Sequence, residues 1–524
     1  MTKQSTTIAS ATAGALAGAM ALAAGEFVGG LAAPTPGPVT AVANRVIDNA
    51  PGWFVDFGKN LFGLSDKPAL ILGTILLSVI LASGLGMASR RRRSVGVTGI
   101  GLFGLVGFLA IAGDAFGGIV SGLLIAGTAA AAGILTLLVL LDRVQPAGSV
   151  VQDEQTQDAP TDPAASRRSF LGWAGAVAAL AAVGGAAAQG LRGRSSAAEA
   201  RAAVTLAPVV TAEQVATDVA DAQANPIAAT EGITPIVVPN DDFYRIDTAL
   251  PVPQVDPKDW NLTIRGMVDR ELTFTYDELL DRATTVAPVT LSCVSNQVGG
   301  NLVGNAVWQG VPLIELLDEA GVQSGATQIK SVSVDGWDCG FPTDLAYDGR
   351  TALVAVAMNG VPLPIDHGFP ARLVVSGLYG YVSATKWLKD IELTTLEDFD
   401  GYWIPRGWSK LGPIKTQSRI DTPRNGSAIP EGTETAIAGV AWAPNKGIAK
   451  VEVRVDDGPW TEALLGESLG DNAWRQWYLS WTAVPGDHRV QVRATDNTGE
   501  TQTEVQTAPA PNGASGWHTV SVSV

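Results

Sequence analysis

The sequence predicts a multi-domain chain with an N-terminal α-helical transmembrane region, a central α+β domain and a C-terminal all-β sandwich. Three observations lead to this prediction. Long apolar runs are confined to residues 7–188, strand and helix patterns are mixed over 236–397, and clean two-residue alternation follows after 412. We therefore place the divisions of the chain at 1–141, 142–189, 190–235, 236–411 and 412–524.

Five apolar runs are long enough to cross about 30 Å of hydrocarbon. Four arginines, at 90–93, separate the second run from the third, and the positive-inside rule assigns them to the cytoplasm. This puts the N-terminus inside, the 34–68 loop outside and the end of the fourth helix inside. The chain is therefore expected to be a multi-pass protein of the plasma membrane. The first four runs lie at 7–33, 69–89, 96–116 and 118–141, and the fifth ends near Ala188.

A polar linker, 142–165, leads to the sequence SRRSFL and then to the fifth apolar run. This order is typical of a twin-arginine export signal, and the topology independently places Arg167 and Arg168 in the cytoplasm, where such signals are read. The alternative is an ordinary membrane helix with basic flanks. Since no small-residue cleavage site stands out, we expect the fifth helix to remain as an anchor, with the rest of the chain on the extracytoplasmic side.

Charge and motifs exclude several classes of function. The net charge of −16 and a pI near 4.7 argue against nucleic acid as a partner. The three histidines, His367, His488 and His518, lie outside the apolar runs, which excludes bis-histidine haem in the bilayer. The sequence also lacks a flavin motif, a GxGxxG after a strand and a GxxxxGK[ST], so flavin, nicotinamide-nucleotide and P-loop interpretations have no support.

The soluble part is predicted element by element from its periodicity. Residues 190–235, rich in Ala and Val, are expected to be a linker with one short helix. The α+β domain is expected to have strands at 260–265, 330–334, 353–358 and 371–375, and helices at 276–280 and 313–320. In the last domain, residues 451–455 and 488–493 alternate, and turns follow at 457–458 and 497–499.

One of the two cysteines, Cys293, follows a predicted strand in VTLSCVSNQVGGNLVGNAVWQGVPL. The polar, Gly-rich loop after it could wrap a bulky polar group. This setting suits a thiolate metal ligand, and the alternative is a buried, inert thiol. A disulfide between Cys293 and Cys339 is a further alternative in an exported protein, and it would remove the proposed ligand.

The Cys293 segment resembles the molybdenum-ligand segment of the sulfite oxidase family. In that family one Cys thiolate binds molybdenum, which also carries oxo groups and the dithiolene of a pterin cofactor. The resemblance covers nearly all of 236–411. It implies molybdopterin (Mo-molybdopterin) as the cofactor, without haem or flavin in this chain, and Cys293 as metal ligand and catalytic residue.

Two further segments carry the resemblance. In PNDDFYRID, residues Asn240, Phe243 and Tyr244 match a family segment that packs on the pterin, although the two aromatic rings could instead belong to the core. The most specific match is PLPIDHGFPARLVVSGLYGYVSATKWLKDIEL, 362–393. Arg offers a planar fork and Lys a compact charge to the cofactor's phosphate. The family's cofactor-binding positions in this second segment correspond to His367, Arg372 and Lys386, and we include the adjacent Thr385.

Asp335, in SVDGWDCGF, matches a weaker family position for cofactor binding. Its alternative role is that of a turn residue in Asp-Gly. The C-terminal sandwich resembles the family's immunoglobulin-like dimerisation domain, which implies a homodimer.

The resemblance implies two-electron oxygen-atom transfer to or from a small molecule, with electrons exchanged with an external membrane quinol system or an exported cytochrome. Sulfite oxidases carry an arginine five residues after the ligand Cys, where this chain has Val298 preceded by Gln297, and Arg245 falls one position away, opposite Ile246. A site short of cationic donors is expected to bind sulfite or nitrate poorly. This favours a sulfoxide or N-oxide reductase and leaves a sulfite-type oxidase open.

Two alternatives belong to other functional classes. One is a metal-free, membrane-anchored surface binding protein with an immunoglobulin-like domain. The other is nitrate reduction of the eukaryotic type, which needs the anion-binding arginines that are altered here.

Overall fold

The computed structural model describes residues 3–32, 35–51, 54, 57–58, 61–62, 66–144, 163–192 and 196–524. The chain forms two compact units, Met1–Ser195 with Ala249–Val252, and Ser196–Thr248 with Pro253–Val524. Most of the predicted polar linker, residues 145–162, and the side chain of Arg167 in the predicted export signal lie outside the described part of the chain.

The first unit is helical, and five of its helices are long and apolar enough to cross a membrane, in agreement with the five predicted runs. Close packing between helices depends on small residues, because a Cβ on Gly14 would lie 2.2 Å from the Ala82 carbonyl oxygen. A short additional helix begins at Pro38, and Glu26 accepts a hydrogen bond from the Val39 N–H at 2.9 Å. The helices whose bounds lie among the described residues are α1 Lys3–Leu31, α2 Pro38–Asn49, α3 Asp66–Ala88, α4 Arg93–Ala112, α5 Ile119–Val144 and α6 Pro163–Arg192.

The second unit begins with a segment that differs from the predicted linker. Residues 196–238, which we call the strap, contain two helices, α7 Ser196–Ala203 and α8 Val210–Ala224, instead of one. Their alanine content favours helix, and tertiary hydrogen bonds hold the strap to the rest of the unit. Arg201 donates to the carbonyl oxygens of Pro362 and Leu363 at 2.8 and 2.7 Å, and Trp474 Nε1 donates to Ile236 O at 2.8 Å.

Two sheets make up the α+β part. In the first, the strand order is β2-β1-β10-β5-β6, and β1 and β10 are parallel. In the second, the order is β3-β4-β7-β8, and β9 also pairs with β7. All six predicted elements are present within about two residues of their predicted bounds. The strands are β1 Asn261–Gly266, β2 Leu272–Thr275, β3 Thr285–Ser292, β4 Val303–Pro312, β5 Gln328–Ser333, β6 Asp338–Pro342, β7 Ala352–Met358, β8 Val361–Pro362, β9 Arg372–Val375 and β10 Leu388–Thr394.

Three helices accompany these sheets: α9 Tyr276–Arg282, α10 Leu313–Ala320 and α11 Gly380–Ser383. Helix α9 starts with a capping box between Thr275 and Glu278, and α10 ends at Gly321, whose φ of 71° is the left-handed conformation that glycine adopts at low cost.

The C-terminal part contains two further sheets, with strand orders β11-β13-β17-β16 and β12-β19-β18-β14-β15. Their inward side chains share one core, to which Ile437 and Trp477 contribute from one sheet and Val451 and Val490 from the other. The two segments predicted from alternation lie in β14 and β18, which pair antiparallel. The strands are β11 Gln417–Thr422, β12 Ser427–Ala428, β13 Glu434–Trp442, β14 Ile448–Val455, β15 Thr461–Glu462, β16 Leu464–Leu465, β17 Arg475–Thr482, β18 Asp487–Asp496 and β19 His518–Ser523.

The α+β part and the C-terminal part are not packed independently. Trp442 and Trp474 from the C-terminal part belong to the core of the α+β part, and the Trp474 N–H donates to Thr290 Oγ1 on β3 at 2.7 Å. The predicted division near residue 412 therefore separates two kinds of topology but crosses a continuous core.

The titration of His518 is expected to make stability depend on pH. Its Nδ1 accepts a hydrogen bond from the Ile420 N–H at 2.9 Å, and burial, assisted by Arg419 and opposed by Asp421, lowers its pKa from 6.5 to about 4. As the pH falls below 6.5, His518 becomes protonated in the unfolded chain, but in the folded chain it stays neutral until about pH 4. The free energy of unfolding should therefore drop by about 3 kcal/mol over this window.

Unfolding of the full chain in detergent at pH 7 and pH 4.5 measures this loss. His518→Gln keeps an acceptor for Ile420 without the titration and should remove that part of the pH dependence. His488→Gln is the matched control, because the hydrogen bond to Asp456 raises the pKa of His488, so its titration acts on stability in the opposite direction. Equal pH dependence in wild type and His518→Gln would contradict the prediction.

Candidate functional site

Cys293 lies where β3 ends, at the start of a loop that returns to β4. Its exposed fraction is 9%, and its N–H donates to Leu302 O at 2.9 Å. Residues 294–302, which we call the Cys293 loop, are closed by Asn296, whose side-chain oxygen accepts from the Leu302 N–H at 2.9 Å. The antiparallel register of Ser292 with Val303 thus fixes the thiol at the end of the sheet.

The second cysteine has a different environment. Cys293 and Cys339 are both buried thiols and do not form the disulfide considered from the sequence. Cys339 Sγ lies 3.4 Å from Ser331 Oγ and 3.2 Å from Thr385 Oγ1, and burial raises the pKa of its thiol to about 12. Cys339 is therefore the inert thiol. The Thr385 hydroxyl also bonds to Ser331 at 2.7 Å, so its contact with a cofactor stays a prediction.

Arg372, the first residue of β9, is a buried cation with an exposed fraction of 5%. Its guanidinium donates to His367 O at 3.2 Å and stacks over Trp308, with Cζ 5.0 Å from the ring centroid. In the part of the chain that the structure describes, no carboxylate lies within 4.0 Å of it. Burial lowers its pKa to about 10. A buried charge without a counter-ion is costly, so this position favours the binding of an anion.

The two segments singled out by sequence meet at His367. Its Nε2 is 2.9 Å from Asn240 O, and its ring meets that of Phe243 edge-on, with centroids 5.6 Å apart. Phe243 is buried, stacks on Tyr244 and packs edge-on against Trp308, and its packing on a cofactor stays a prediction. Burial and Arg372 lower the pKa of His367, which keeps the ring neutral near pH 7.

The Cys293 thiol and the Arg372 guanidinium both act electrostatically on the Tyr244 phenol. Burial raises the pKa of its phenol well above the ordinary value, the Cys293 thiol raises it further, and Arg372 opposes the shift. Tyr379 is similar: burial, with a smaller contribution from Cys293, raises its pKa to about 12. Both phenols therefore keep their protons at neutral pH. Tyr379 was missed from the sequence, although it stands in the most specific segment, four residues after the predicted strand 371–375.

Lys386 is the second buried cation, and its charge is balanced within the protein. Its ammonium donates to Asp247 Oδ2 at 2.8 Å and to Asp366 O at 2.9 Å, and burial, opposed by Asp247, lowers its pKa to about 8. Asp247 was also missed from the sequence, although it lies in PNDDFYRID. Arg245 is half exposed, and its guanidinium lies 3.6 Å from Asp247 and 3.5 Å from Asp366.

Asp335 has the geometry of a turn residue. Its Oδ1 accepts from the Trp337 N–H at 3.2 Å, and Gly336 follows with a φ of 87°. Burial raises its pKa, and Lys386 and Asp247 are close enough to act on it electrostatically. A direct role in cofactor binding stays a prediction.

The donor set fits Mo-molybdopterin. Cys293 offers a single sulfur ligand, and the unbalanced charge of Arg372 suits a phosphate. His367 and Lys386 lie close enough to Arg372 for its positive charge to lower the pKa of both side chains. Among the described residues, no group of three or more His, Cys, Asp or Glu could hold a metal ion. A metal at Cys293 would therefore need further ligands that a dithiolene cofactor brings.

Comparisons with known proteins agree with this fit. Residues 249–403 match the family described as Oxidoreductase molybdopterin binding domain. Mouse mitochondrial sulfite oxidase is 30% identical over 360 residues, covering 58% of this chain and 64% of the relative. The uncharacterized oxidoreductase YuiH of Bacillus subtilis (strain 168) is 33% identical over 157 residues, which cover 30% of this chain and 76% of the relative. The chain thus spans less than two thirds of the length of the mouse and human sulfite oxidases.

Among solved structures, the sulfane dehydrogenase SoxCD from Paracoccus pantotrophus is similar, with 25% sequence identity and a TM-score of 0.47 over 56% of this chain and 82% of that chain.

The sequence similarities, together with a site of this composition, define a molybdopterin-dependent oxidoreductase. The chain belongs to the sulfite oxidase family. The predicted enzyme class and cofactor are thereby confirmed, and the alternative of a metal-free binding protein is not supported. The individual site residues stay predictions.

Proposed function

We propose that the chain is a membrane-anchored oxidoreductase that transfers an oxygen atom in a two-electron reaction at a molybdenum ligated by Cys293. The observation that carries the proposal is that a buried thiol, Cys293, and a buried cation without a carboxylate partner among the described residues, Arg372, both act electrostatically on Tyr244. When bound, the cofactor supplies a metal centre that exchanges one oxygen atom and two electrons with the substrate.

The protein's own residues would hold and shield that centre. Cys293 would supply the thiolate, and Arg372 would bind the anionic end of the cofactor. Lys386 would donate a hydrogen bond to its polar edge, and the neutral His367, whose Nε2–H is used on Asn240 O, would accept one at Nδ1. Tyr244 keeps its proton, because burial raises its phenol pKa, and it can therefore donate a hydrogen bond to an oxygen at the site. The surrounding aromatic core, including Phe243 and Trp308, excludes water.

We propose a neutral or weakly polar oxide, such as a sulfoxide or an N-oxide, as the substrate. An anionic substrate needs cations whose charge is not already balanced by a carboxylate. Two cations near the site, Lys386 and Arg245, are ion-paired. Lys386 pairs with Asp247, and Arg245 pairs with Asp247 and Asp366. Gln297 and Val298 in the Cys293 loop add no charge. Sulfite oxidation is the second candidate, supported by the relatives named sulfite oxidase.

The measurement that tests this function is made on the full chain from a host with molybdopterin synthesis and twin-arginine export. We expect near-stoichiometric molybdenum per polypeptide by mass spectrometry, and faster turnover of sulfoxides or N-oxides with an artificial electron donor than of sulfite with an acceptor. Faster turnover of sulfite would favour the sulfite oxidase proposal over the reductase proposal. Well-folded protein without molybdenum would contradict both.

We further propose that the five apolar helices span the plasma membrane and that the second unit is exported through the arginine pair at 167–168. Five candidate spans and the arginines at 90–93 support this arrangement. Protease should then reach the second unit in spheroplasts but not in inside-out vesicles. The electron partner would be a membrane quinol system or an exported cytochrome. The two C-terminal sheets would form an immunoglobulin-like sandwich that pairs two copies.

A further inference from the structure

Arg419 joins three separate segments of the second unit. It lies on β11, its side chain is 10% exposed, and its Nε pairs with Asp421 Oδ1 at 2.6 Å. Its Nη1 donates to Gly300 O in the Cys293 loop at 2.9 Å, and its Nη2 donates to Thr234 Oγ1 in the strap at 2.7 Å. All three nitrogens of one guanidinium are therefore used, each on a different partner.

A second residue of the C-terminal part touches the same loop. A Cβ on Gly299 would lie 2.1 Å from His518 Cδ2, so the His518 ring packs directly against the glycine backbone. Gly299 also has a φ of 75°, which disfavours any other residue. His518 is itself fixed by the Ile420 N–H, one residue after Arg419. Arg419 on β11 and His518 on β19 thus contact the loop from outside.

The loop is fixed at its base, where Val294 is buried in the core, the Asn296 N–H donates to Cys293 O at 3.1 Å and the Asn296 side chain bonds to Leu302. Further out, the Gly300 N–H donates to Gln297 O at 2.9 Å, and the outer residues, Gln297 among them, are exposed. A Gly-rich loop loses much conformational entropy when it is ordered. Contacts from β11 and β19 are therefore expected to determine the position of the loop and of the Cys293 thiol that precedes it.

We propose that Arg419 is a positioning residue for the Cys293 loop, so that the C-terminal sheets are part of the oxidoreductase site as well as a possible pairing surface. The inference rests on the proposed function only in taking Cys293 as the metal ligand.

Arg419→Lys tests the inference because an ammonium can keep the pair with Asp421 but cannot also reach both Gly300 and Thr234. We use the full chain from a host without molybdopterin synthesis and follow amide hydrogen exchange of residues 294–302 by mass spectrometry. Exchange should become about 10-fold faster in this variant, as expected for the loss of one charged hydrogen bond. Arg493→Lys is the matched control, since Arg493 pairs with Glu452 on β14.

A second pair of variants tests the contact without removing a charge. Gly299→Ala should speed exchange in the loop, because its new Cβ collides with His518. His518→Ala should also speed exchange in the loop, because it removes the ring that packs on Gly299 and leaves the Ile420 N–H without its acceptor. An unchanged loop in Arg419→Lys, an equal rise in Arg493→Lys, or an unchanged loop in His518→Ala would overturn the inference.

The cofactor-free measurement separates this inference from the proposed function. Faster loop exchange in Arg419→Lys together with a wild type that never acquires molybdenum would leave the positioning role standing and remove the enzyme proposal. In molybdenum-loaded chain, a positioning role also predicts an altered electron paramagnetic resonance spectrum of the metal in Arg419→Lys and an unaltered one in Arg493→Lys. Identical spectra in all three proteins would count against it.

Discussion

Replacing Cys293 by serine is expected to remove molybdenum from the chain and reduce turnover to background while leaving the fold intact. Serine is nearly the same size as cysteine, and the thiol sits at the end of β3, so we expect the free energy of unfolding to change by less than about 1.5 kcal/mol. A hydroxyl, however, does not ionise near neutral pH and lacks the soft sulfur that a thiolate offers to the metal.

The measurement is molybdenum per polypeptide in Cys293→Ser, alongside its thermal midpoint. The chain offers its own control in Cys339→Ser, because Cys339 is also buried but has a pKa raised to about 12 and bonds to neighbouring hydroxyls. Cys339→Ser should keep wild-type metal. Wild-type molybdenum and turnover in Cys293→Ser would refute the assignment of the ligand.

Arg372→Met is expected to have opposite effects on the empty and the loaded protein. Without cofactor, it replaces a buried cation that has no described carboxylate partner by an apolar side chain that can pack on Trp308. The free energy of unfolding should stay the same or rise, by up to about 3 kcal/mol. With cofactor, the loss of a charged hydrogen bond worth about 1.5–3 kcal/mol should weaken binding by about 10- to 100-fold.

Arg350→Met is the matched control for this prediction. The Arg350 side chain is 9% exposed and pairs with Asp348 at 2.6 Å, so its removal should destabilise the empty protein and leave cofactor affinity unchanged. Thermal unfolding of both variants from a cofactor-free host, and molybdenum retention in a competent host, give the comparison. If Arg372→Met destabilises the empty protein and keeps its molybdenum, Arg372 is structural and the anion lies elsewhere.

Local patterns in the sequence were sufficient for much of this protein. The five apolar helices follow from run length and hydropathy, and α10 lies at its predicted bounds, 313–320. These properties depend on residues within a few turns of each other, and side-chain periodicity records them directly. The family and its cofactor likewise followed from the short segments around Cys293 and His367.

The electrostatic state of the site and the fixing of its loop were decided by tertiary structure. Lys386 is balanced by Asp247, 139 residues away, whereas Arg372 has no described carboxylate partner. Arg419 reaches Gly300 across 119 positions of sequence, and the predicted linker is a bound strap. The physical reason is that pKa and hydrogen bonding depend on which groups packing brings within a few ångströms, and sequence patterns carry no record of such distant neighbours.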